Sequence, residues 1–377
     1  MSGLLPNVDP DGLLEFSVVY TDRSLNHMSK QFQQIVKDIS AVLKETYNAR
    51  SAIIVPGSGT FGMESVARQF AQNQKCLIIR NGWFSYRWTQ ILDMGNITQD
   101  VHVFKARQID NATTGCFAPP PIEEVVASIK KQKPAVVFVP HVETSSGIIL
   151  PDDYVQAIGE AVESVDGIFV LDCIASGAMW VDMKQCKVDV LISAPQKGWS
   201  SSPCCAIIGL GERAREKINH TQSSSFSLDL NKWLQIIETY EGGGHLYHAT
   251  MPTDALKILR NNMKETQALG FSTAKARQVE LGTKVRALLE SKNFMSVAAP
   301  GFQSPGVVVS YTSDPDIQNA KKFIQAGLQI ATGVPLQCDE RPDFRTFRLG
   351  LFGLEKLQNI DQTVANLKNA LDCIGNA

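Results

Sequence analysis

The strongest constraint on this chain is a regular alternation of short apolar runs with helical segments between residues 50 and 210. Runs of Val, Ile and Leu without polar alternation are typical of strands that are buried on both faces. The apolar runs are Ser51–Val55, Cys76–Ile79, Ala135–Val139, Gly167–Leu171, Val188–Ile192 and Cys205–Ile208. The helical segments between them include Met63–Gln72, Ile122–Lys131 and Asp153–Ser164. This alternation predicts an α/β fold whose large domain has a mainly parallel sheet flanked by helices.

The rest of the chain predicts a second and smaller unit. A long helical stretch covers Asp254–Asn293, strands are expected at Val307–Tyr311 and Thr346–Leu351, and helices at Asp316–Thr332 and Ile360–Ile374. A chain of 377 residues is long enough for two hydrophobic cores. We therefore expect a large domain over residues 20–260 and a small C-terminal α+β domain over 261–377. Residues 1–19 are expected to pack on the small domain or on a partner subunit.

Composition excludes several classes of partner. The formal net charge is −2, so nothing favours binding to nucleic acid or to an anionic membrane. No apolar run approaches the roughly 18 residues of a membrane span. The eight cysteines form no C-x-x-C pair and no zinc spacing with histidine, which predicts no metal site. Scattered free thiols and the lack of a signal-peptide pattern favour a cytoplasmic protein.

The loop after the first apolar run has the composition of a phosphate site. In open α/β sheets ligands bind beyond the carboxyl ends of the strands, and here Gly57-Ser58-Gly59-Thr60 opens a helix. Glycines allow close backbone approach, and helix N-terminal amides attract anions. A simple tight turn is the alternative. The loop also fits G-x-G-x-x-G, but the next run ends in Ile79-Arg80-Asn81-Gly82 without the acid that binds a nicotinamide ribose, although Arg80 would suit a phosphorylated ribose.

Two charged residues follow later strands. Asp172 ends the run Gly167–Leu171, where a carboxylate is costly unless it meets a cation such as a protonated pyridine. Lys197 follows the run Val188–Ile192 in Gln196-Lys197-Gly198, where an amine can condense with an aldehyde. Taken alone, Asp172 is explained just as well as a residue that caps the strand end. A lone lysine such as Lys197 is explained better as a solvated side chain. A phosphate loop, a pyridinium partner and an amine in this order are what pyridoxal 5'-phosphate requires.

These residues belong to a series of motifs that resembles the class V, fold-type I aminotransferases, which include alanine–glyoxylate, serine–glyoxylate and 2-aminoethylphosphonate–pyruvate transaminases. The likeness begins near residue 20 and covers nearly the whole chain. The motifs are Ser58-Gly59-Thr60, Asn81-Gly82-Trp83-Phe84, Glu143-Thr144-Ser145-Ser146-Gly147, Asp172 with Ala175-Ser176, Gln196-Lys197, Tyr247-His248-Ala249-Thr250 and Phe347-Arg348-Leu349-Gly350.

The resemblance implies a role for each matching position. Lys197 would form the Schiff base with pyridoxal phosphate and shuttle protons, and Asp172 would pair with the pyridine nitrogen. The remaining cofactor contacts would be Phe84 and Ile174 on the two ring faces, Thr144 near the phenolic oxygen, and Ser58, Gly59, Thr60 and Gln196 on the phosphate. Tyr247 and Thr250 would reach the phosphate from a second subunit, which implies a homodimer with shared active sites. Arg348 would bind the substrate carboxylate, and Asn26 and His27 would lie near the substrate.

The expected activity is transfer of an amino group from a small amino acid, alanine- or serine-like, or from an aminophosphonate, to a 2-oxo acid such as glyoxylate or pyruvate. Other readings stay open. Cys338 is the candidate nucleophile for a cysteine desulfurase or lyase on the same fold, and the glycine loop leaves a nicotinamide-dependent oxidoreductase possible. A non-catalytic binding protein would not need Asp172, Lys197 and Arg348 together. Arg348 could instead pair with Asp339, Glu340 or Asp343, and Arg87 could be a structural ion-pair residue.

Overall fold

A computed structural model describes residues 11, 13–110, 112 and 114–375. Thus most of the segment 1–19, for which a packing site was predicted, lies outside the described residues. The helices are α1 Lys30–Tyr47, α2 Gly59–Phe70, α3 Trp83–Met94, α4 Ile122–Gln132, α5 Asp152–Glu163, α6 Glu212–Lys217, α7 Leu230–Glu241, α8 Thr253–Leu269, α9 Phe271–Ser291, α10 Pro315–Gln318, α11 Lys321–Gln325, α12 Leu354–Gln358 and α13 Ile360–Gly375. The strands are β1 Ser51–Pro56, β2 Cys76–Arg80, β3 Val101–Lys105, β4 Arg107–Gln108, β5 Phe117–Ala118, β6 Val136–Pro140, β7 Val142–Glu143, β8 Ile148–Ile149, β9 Ile168–Asp172, β10 Val190–Ser193, β11 Cys205–Leu210, β12 Val307–Tyr311, β13 Ala331–Thr332 and β14 Thr346–Gly350.

Seven strands form the central sheet in the order β1-β11-β10-β9-β6-β2-β3. All six predicted apolar runs lie in it, and almost all of their residues are buried, as expected for strands covered by helices on both faces. β11 runs antiparallel to both of its neighbours, and the other six strands are parallel to one another. The predicted α/β class and the mainly parallel sheet are confirmed.

This topology gathers the candidate residues at one edge of the sheet. β1, β2, β6, β9 and β10 all end at the same edge because they run in the same direction. The residues that follow them are Ser58, Phe84, Thr144, Asp172 with Ile174, and Lys197. The sequence separates these side chains by up to 139 residues (197 − 58), yet the strand directions bring them together. The carboxyl edge is therefore where a ligand is expected.

A second, antiparallel sheet has the order β12-β14-β13 and carries Arg348 on its central strand. The predicted long helical stretch is two helices, α8 and α9, that meet at Gly270, whose φ of +90° ends the first helix. Among the described residues, none of the helices is both long and apolar enough to span a lipid bilayer.

The predicted helix Asp316–Thr332 is wrong. Asp314 caps the short helix α10 by accepting from the backbone N–H groups of Asp316 and Ile317. The chain then passes through Ala320 at φ +68° and, after α11, through Gly327 at φ +84°, and both break the helical path. Ala331 and Thr332 instead pair with β14.

The edge strand β3, which sequence reasoning missed, is only half-buried and contains His102, so it lacks a continuous apolar run.

Candidate active site

A cavity of about 320 Å³ lies at the carboxyl edge of the central sheet, against β12, β13 and β14. It brings together ten of the residues predicted for the cofactor and substrate. These are Ser58, Gly59, Thr60, Phe84, Thr144, Asp172, Ile174, Gln196, Lys197 and Arg348. The other predicted residues, Asn26, His27, Tyr247 and Thr250, do not line this cavity. The arrangement therefore separates the predicted site into two groups within one chain.

One end of the cavity has the donors of an anion site. Ser58 is the N-cap of the twelve-residue helix α2, but its hydroxyl makes no capping hydrogen bond, so the first amides of the helix keep free donors. Gly59 lies against Ile174, and a Cβ at this glycine would come within 2.7 Å of the Ile174 Cδ1. The Thr60 hydroxyl accepts a 2.8 Å hydrogen bond from Arg87. These features make the helix terminus open to a phosphate group.

Gln196 and Lys197 follow β10 and face the same cavity. The Gln196 Oε1 is buried without a hydrogen-bond partner among the described residues. Burial lowers the pKa of Lys197, and the positive charge of Arg348 lowers it further. The Lys197 Nζ lies 5.1 Å from the centre of the Phe352 ring. No ion pair in the described part of the chain engages this amine, which therefore loses its proton more easily than an ordinary lysine.

Asp172 forms the floor of the cavity at the end of β9. Only 8% of the residue is exposed, and its Oδ1 accepts one hydrogen bond, 2.9 Å long, from the Ile174 N–H. Burial raises the pKa of Asp172 to about 7; the nearby carboxylate of Glu143 contributes to this rise, and the Ile174 N–H and the charge of Arg87 oppose it. A carboxyl group with so few donors is stabilised as an anion only if a cation enters the cavity.

Arg348 projects from β14 into the cavity. Its Nε donates to the Thr332 carbonyl at 2.7 Å, and its guanidinium carbon lies 5.4 Å from the centre of the Phe84 ring. The three acids that could have paired with it have other partners. Asp339 binds Lys105, Asp343 binds Arg341, and Glu340 accepts from the backbone N–H groups of residues 336–338. Its Nη1 also donates to the Thr144 carbonyl at 3.5 Å, so the guanidinium has backbone acceptors but no acid partner in the described part of the chain, and it keeps donors for an anion in the cavity.

Glu143 has a structural role that sequence reasoning missed. Its side chain is fully buried and accepts hydrogen bonds from the N–H groups of Phe84, Ser85 and Ser145 and from both serine hydroxyls. A carboxylate at the N-terminus of α3 is stabilised by these donors and by the helix dipole. A Cβ on Gly82 would overlap the Ser145 hydroxyl and crowd Glu143, so glycine is required there. This contact fixes the start of α3 and thereby the position of Phe84 in its first turn.

Arg87 and Phe352 were not predicted as site residues, yet both line the cavity. Arg87 donates to Thr60, lies 5.2 Å from the Phe84 ring centre and has no carboxylate partner among the described residues, so the structural ion-pair interpretation is not supported. Phe352 lies four residues after Arg348. Side chains two and four residues apart in an extended chain share a face, so this spacing is the signal that could have found it.

The second group lies apart from the cavity. Tyr247 is about half exposed, and its hydroxyl bonds the exposed Thr250 hydroxyl at 3.0 Å. The His27 ring packs 5.6 Å from the Tyr247 ring, and the neighbouring Asn26 donates to Glu15 and Ser17. These four residues thus form a cluster, called here the His27–Tyr247 cluster, in which His27 is buried, Tyr247 and Thr250 are exposed, and none lines the cavity of its own chain.

The geometry can now be set beside known proteins. The family model described as "Aminotransferase class-V" matches residues 14–339. The chain belongs to the aminotransferase class-V family. Members of this family are enzymes that depend on pyridoxal phosphate. Arg348 lies beyond the matched residues, so its place in the site depends on the structure alone.

Relatives within and around the family differ in their named activities. The chain is 24% identical over 358 residues to the alanine–glyoxylate aminotransferase of Mus musculus, which covers 93% of this chain and 82% of the relative. It is 25% identical over 336 residues to a soluble hydrogenase small subunit of a Synechococcus species, covering 87% and 83%. The ureidoglycine–glyoxylate aminotransferase structure from Bacillus subtilis superposes with a TM-score of 0.75 at 25% identity, covering 92% and 86%. The fold-type I architecture is thereby confirmed.

The cavity fits the cofactor of this family. A phosphate suits the free donors of Ser58 and α2, a protonated ring nitrogen suits Asp172, and an aldehyde suits the amine of Lys197. Gln196, whose amide oxygen has no partner among the described residues, lines the same cavity. Each of these groups lacks the partner within the protein that a purely structural residue would have.

Cys338 does not have the surroundings of a desulfurase nucleophile. Its thiol is buried, donates to the Arg80 carbonyl at 3.3 Å and does not line the cavity. Burial, with a contribution from the acids Glu143 and Glu340, raises the pKa of Cys338 to about 12, so the thiolate does not form at neutral pH. Its position therefore gives no support to the desulfurase alternative.

Proposed function

We propose that this protein transfers the amino group of a small amino acid, alanine- or serine-like, or of an aminophosphonate, to a 2-oxo acid such as glyoxylate or pyruvate. The observation that carries this proposal is the guanidinium of Arg348, which has no acid partner among the described residues and faces Asp172 and Lys197 across one cavity. The printed activities of the mouse and Bacillus relatives, both glyoxylate aminotransferases, support the choice of acceptor.

In this proposal Ser58, Gly59, Thr60 and Gln196 hold the phosphate of pyridoxal phosphate. Arg87, which already donates to Thr60, adds a positive charge at that end. Phe84 and Ile174 would pack on the two faces of the ring, and Thr144 would lie near its phenolic oxygen. The bound cofactor supplies an aldehyde that condenses with amines and a ring that withdraws electrons from the substrate α-carbon.

Lys197 has two tasks in this account. Its amine holds the cofactor before the amino donor arrives, and after displacement it carries the proton of the substrate α-carbon. A base must be neutral to accept a proton, and burial together with Arg348 moves the pKa of Lys197 in that direction. Asp172 completes the pair, because its carboxylate keeps the ring nitrogen protonated and the ring electron-withdrawing.

Arg348 binds the carboxylate that amino donor and 2-oxo acid share. A guanidinium forms two parallel hydrogen bonds with a carboxylate, which orients the α-carbon toward Lys197. The walls beside it are mostly apolar, from Val142, Val307, Ala331, Leu349 and Phe352. A ring-bearing cofactor fills much of a 320 Å³ cavity, so these walls favour a substrate with a short side chain.

A homodimer with shared sites accounts for the His27–Tyr247 cluster. Tyr247 and Thr250 expose their hydroxyls away from their own cavity, and family resemblance assigns them to the phosphate of a partner subunit. The adjacent Asn26 and His27 would then approach the partner's substrate. The exposed Leu13, Leu14, Phe16 and Val18 provide apolar surface next to this region of the sequence, as expected for a segment that packs on a second copy.

The substrate proposal is tested by incubating the purified holoenzyme with pairs of amino donors and 2-oxo acids and measuring products by mass spectrometry. We expect turnover with alanine or serine and with glyoxylate or pyruvate. Arg348→Lys keeps the charge but loses the paired hydrogen bonds, so kcat/KM for both substrates should fall about ten- to a hundredfold. Arg345→Lys, three residues away and outside the cavity, is the matched control. A normal kcat/KM in Arg348→Lys would contradict the carboxylate role.

The dimer proposal is tested by subunit mixing. Lys197→Ala and the double variant Tyr247→Phe/Thr250→Ala should each be inactive alone. In a heterodimer one site has Lys197 and receives intact Tyr247 and Thr250 from the other subunit. Random reassociation should then restore about a quarter of the wild-type activity. If heterodimers form without any recovery, Tyr247 and Thr250 do not act across the interface.

A further inference from the structure

A second cavity of about 450 Å³ lies behind the candidate active site and shares no lining residue with it. One wall is a stripe of α9, formed by Lys275, Val279, Thr283 and Arg286, which project from one face of the helix. His141, Trp180 and Gln303 also line the cavity. Its volume is within the range of small-molecule sites in proteins.

The wall of this cavity has an excess of positive charge. Lys275 and Arg286 both line it, and neither has an acid within ion-pair distance in the described part of the chain; Glu290, which does not line the cavity, acts on Arg286 only from a longer distance. Asp152 is the single carboxylate in the lining and is itself exposed. Burial lowers the pKa of His141 to about 3, so its ring adds no charge at neutral pH. The whole chain has a formal net charge of −2, so the excess of positive charge at this cavity does not reflect a general excess in the protein.

Arg286 is the residue in this cavity whose unused hydrogen-bond donors point most clearly to a ligand. It is partly buried, and its only protein partner among the described residues is the Ser304 carbonyl, at 3.0 Å from one terminal nitrogen. The remaining donors of the guanidinium have no acceptor there. A partly buried cation with unused donors is stabilised by an oxyanion, and the guanidinium fork matches phosphate and carboxylate oxygens.

We propose that this second cavity binds a small phosphate-type dianion, held between Arg286 and Lys275 and bordered by His141, Thr283 and Gln303. Two cations on one helix face favour a dianion over a monocarboxylate, because each contributes a charge-assisted contact. The proposal does not depend on the substrates of the active site.

Two packing contacts connect this cavity to the active site. The His141 Nδ1 lies 2.7 Å from the Ser176 hydroxyl, and its backbone N–H donates to the Asp172 carbonyl at 2.9 Å. Ser176 follows Ile174 and Ala175, which line the first cavity. On the other side the Trp180 ring packs 4.7 Å from the Trp199 ring, two residues after Lys197. An anion in the second cavity thus contacts residues that support the loops of both Asp172 and Lys197.

Binding is tested by calorimetric titration of the holoenzyme with inorganic phosphate at low ionic strength, where charge interactions are least screened. The holoenzyme is used because its cofactor phosphate occupies the anion site at α2. We expect saturable binding in the wild type and at least about tenfold weaker binding in Lys275→Gln/Arg286→Gln. Lys275→Gln alone, at a half-buried surface position, should give a smaller loss if the double variant folds poorly.

Two controls make the result specific. Arg277→Gln removes the same charge from the same helix, but Arg277 does not line the cavity, so phosphate affinity should be unchanged. Arg348→Gln should also leave it unchanged, because Arg348 belongs to the other cavity. Acetate should bind more weakly than phosphate. The proposal is overturned if phosphate does not bind, if Lys275→Gln and the double variant retain wild-type affinity, or if Arg348→Gln abolishes binding.

The connection to the active site has its own measurement. Phosphate should slow hydrogen–deuterium exchange of the backbone N–H groups in residues 173–181 in the wild type and not in the double variant, because His141 and Trp180 become more ordered. Unchanged exchange in that segment at saturating phosphate would contradict the connection.

Discussion

Two buried carboxylates lie at the same edge of the sheet and have opposite surroundings. Glu143 accepts five hydrogen bonds from backbone and serine donors at the start of α3. Asp172 accepts one, and its other oxygen is left for the cavity. Each is more than nine-tenths buried, so burial alone does not distinguish them. The two residues differ in the number of hydrogen-bond donors that the protein supplies to each carboxylate.

The number of donors separates a buried charge that stabilises the fold from one that binds a ligand. A carboxylate whose lone pairs are all satisfied by the fold stabilises that fold, whereas one left with a single donor is costly until a cation arrives. The same distinction holds for the cations. Arg213 binds Asp166 and Asp189, while Arg348 and Lys197 have no acid partner among the described residues. Functional residues here are those whose partners are missing.

The largest expected effect is on catalysis by Asp172. Asp172→Asn removes the negative charge that keeps the cofactor ring protonated, so removal of the substrate α-proton should slow by about a hundredfold or more at saturating cofactor. Rapid-mixing absorbance of the donor half-reaction measures this step directly. Near-normal rates, with the cofactor shown to be bound, would remove Asp172 from the role of ring partner.

A second effect of the same substitution appears in the cofactor-free protein. The folded-state pKa of Asp172 is raised from 3.8 to about 7, so the folded protein keeps a proton that the unfolded chain releases between those pH values. Stability therefore falls as pH rises through this window, and Asp172→Asn should be more stable above pH 7 by up to about 4 kcal/mol, with no difference near pH 4.

Thermal unfolding of wild type and Asp172→Asn at pH 5 and pH 8 tests the sign. Asp189, another buried carboxyl with a pKa raised to about 6, is present in both proteins and cancels in the difference. Adding pyridoxal phosphate should reverse the order, because the wild-type carboxylate then has a cation partner. An advantage of the variant at pH 5 that equals the one at pH 8 would show that Asp172 does not titrate in this range.

Glu143→Gln should have the smallest effect on chemistry and a clear effect on stability. The side-chain amide of glutamine has an NH2 group in place of one carboxylate oxygen, and this group would face the N–H and hydroxyl donors that now bind Glu143. We therefore expect the free energy of unfolding at neutral pH to fall by about 3 kcal/mol. Glu160→Gln, at an exposed position, is the control and should change stability by less than about 0.5 kcal/mol. If Glu143→Gln folds normally but loses activity as Asp172→Asn does, the distinction between the two carboxylates fails.

Much of the site was predictable because strand ends position it. Each apolar run was visible in sequence, and parallel strands bring their carboxyl ends together, so Asp172 and Lys197 could be paired before any coordinates were known. The donors around Glu143 could not be counted in sequence, because they come from Ser85 and Ser145, which meet only when β7 lies beside α3. Hydrogen-bond satisfaction is a property of tertiary structure.

The one wrong helix has a local cause. The helix predicted over Asp316–Thr332 followed the apolar pattern, but Ala320 and Gly327 adopt positive φ and divide it. The predicted contact of Tyr247 and Thr250 with the phosphate of a partner subunit stays a prediction, because within one chain these residues contact each other and do not line the cavity. A residue that acts on a partner subunit leaves no periodicity in its own sequence.

The most direct test of the central claim is to identify the lysine that holds the cofactor. The holoenzyme is reduced with borohydride, digested and examined by mass spectrometry, with Lys197→Ala as the control. The account predicts that the cofactor mass is found on the peptide that contains Lys197 and on no other, and that Lys197→Ala folds but retains no reducible cofactor. A cofactor adduct on a different lysine, or an unchanged adduct in Lys197→Ala, would contradict the assignment of this cavity as the active site.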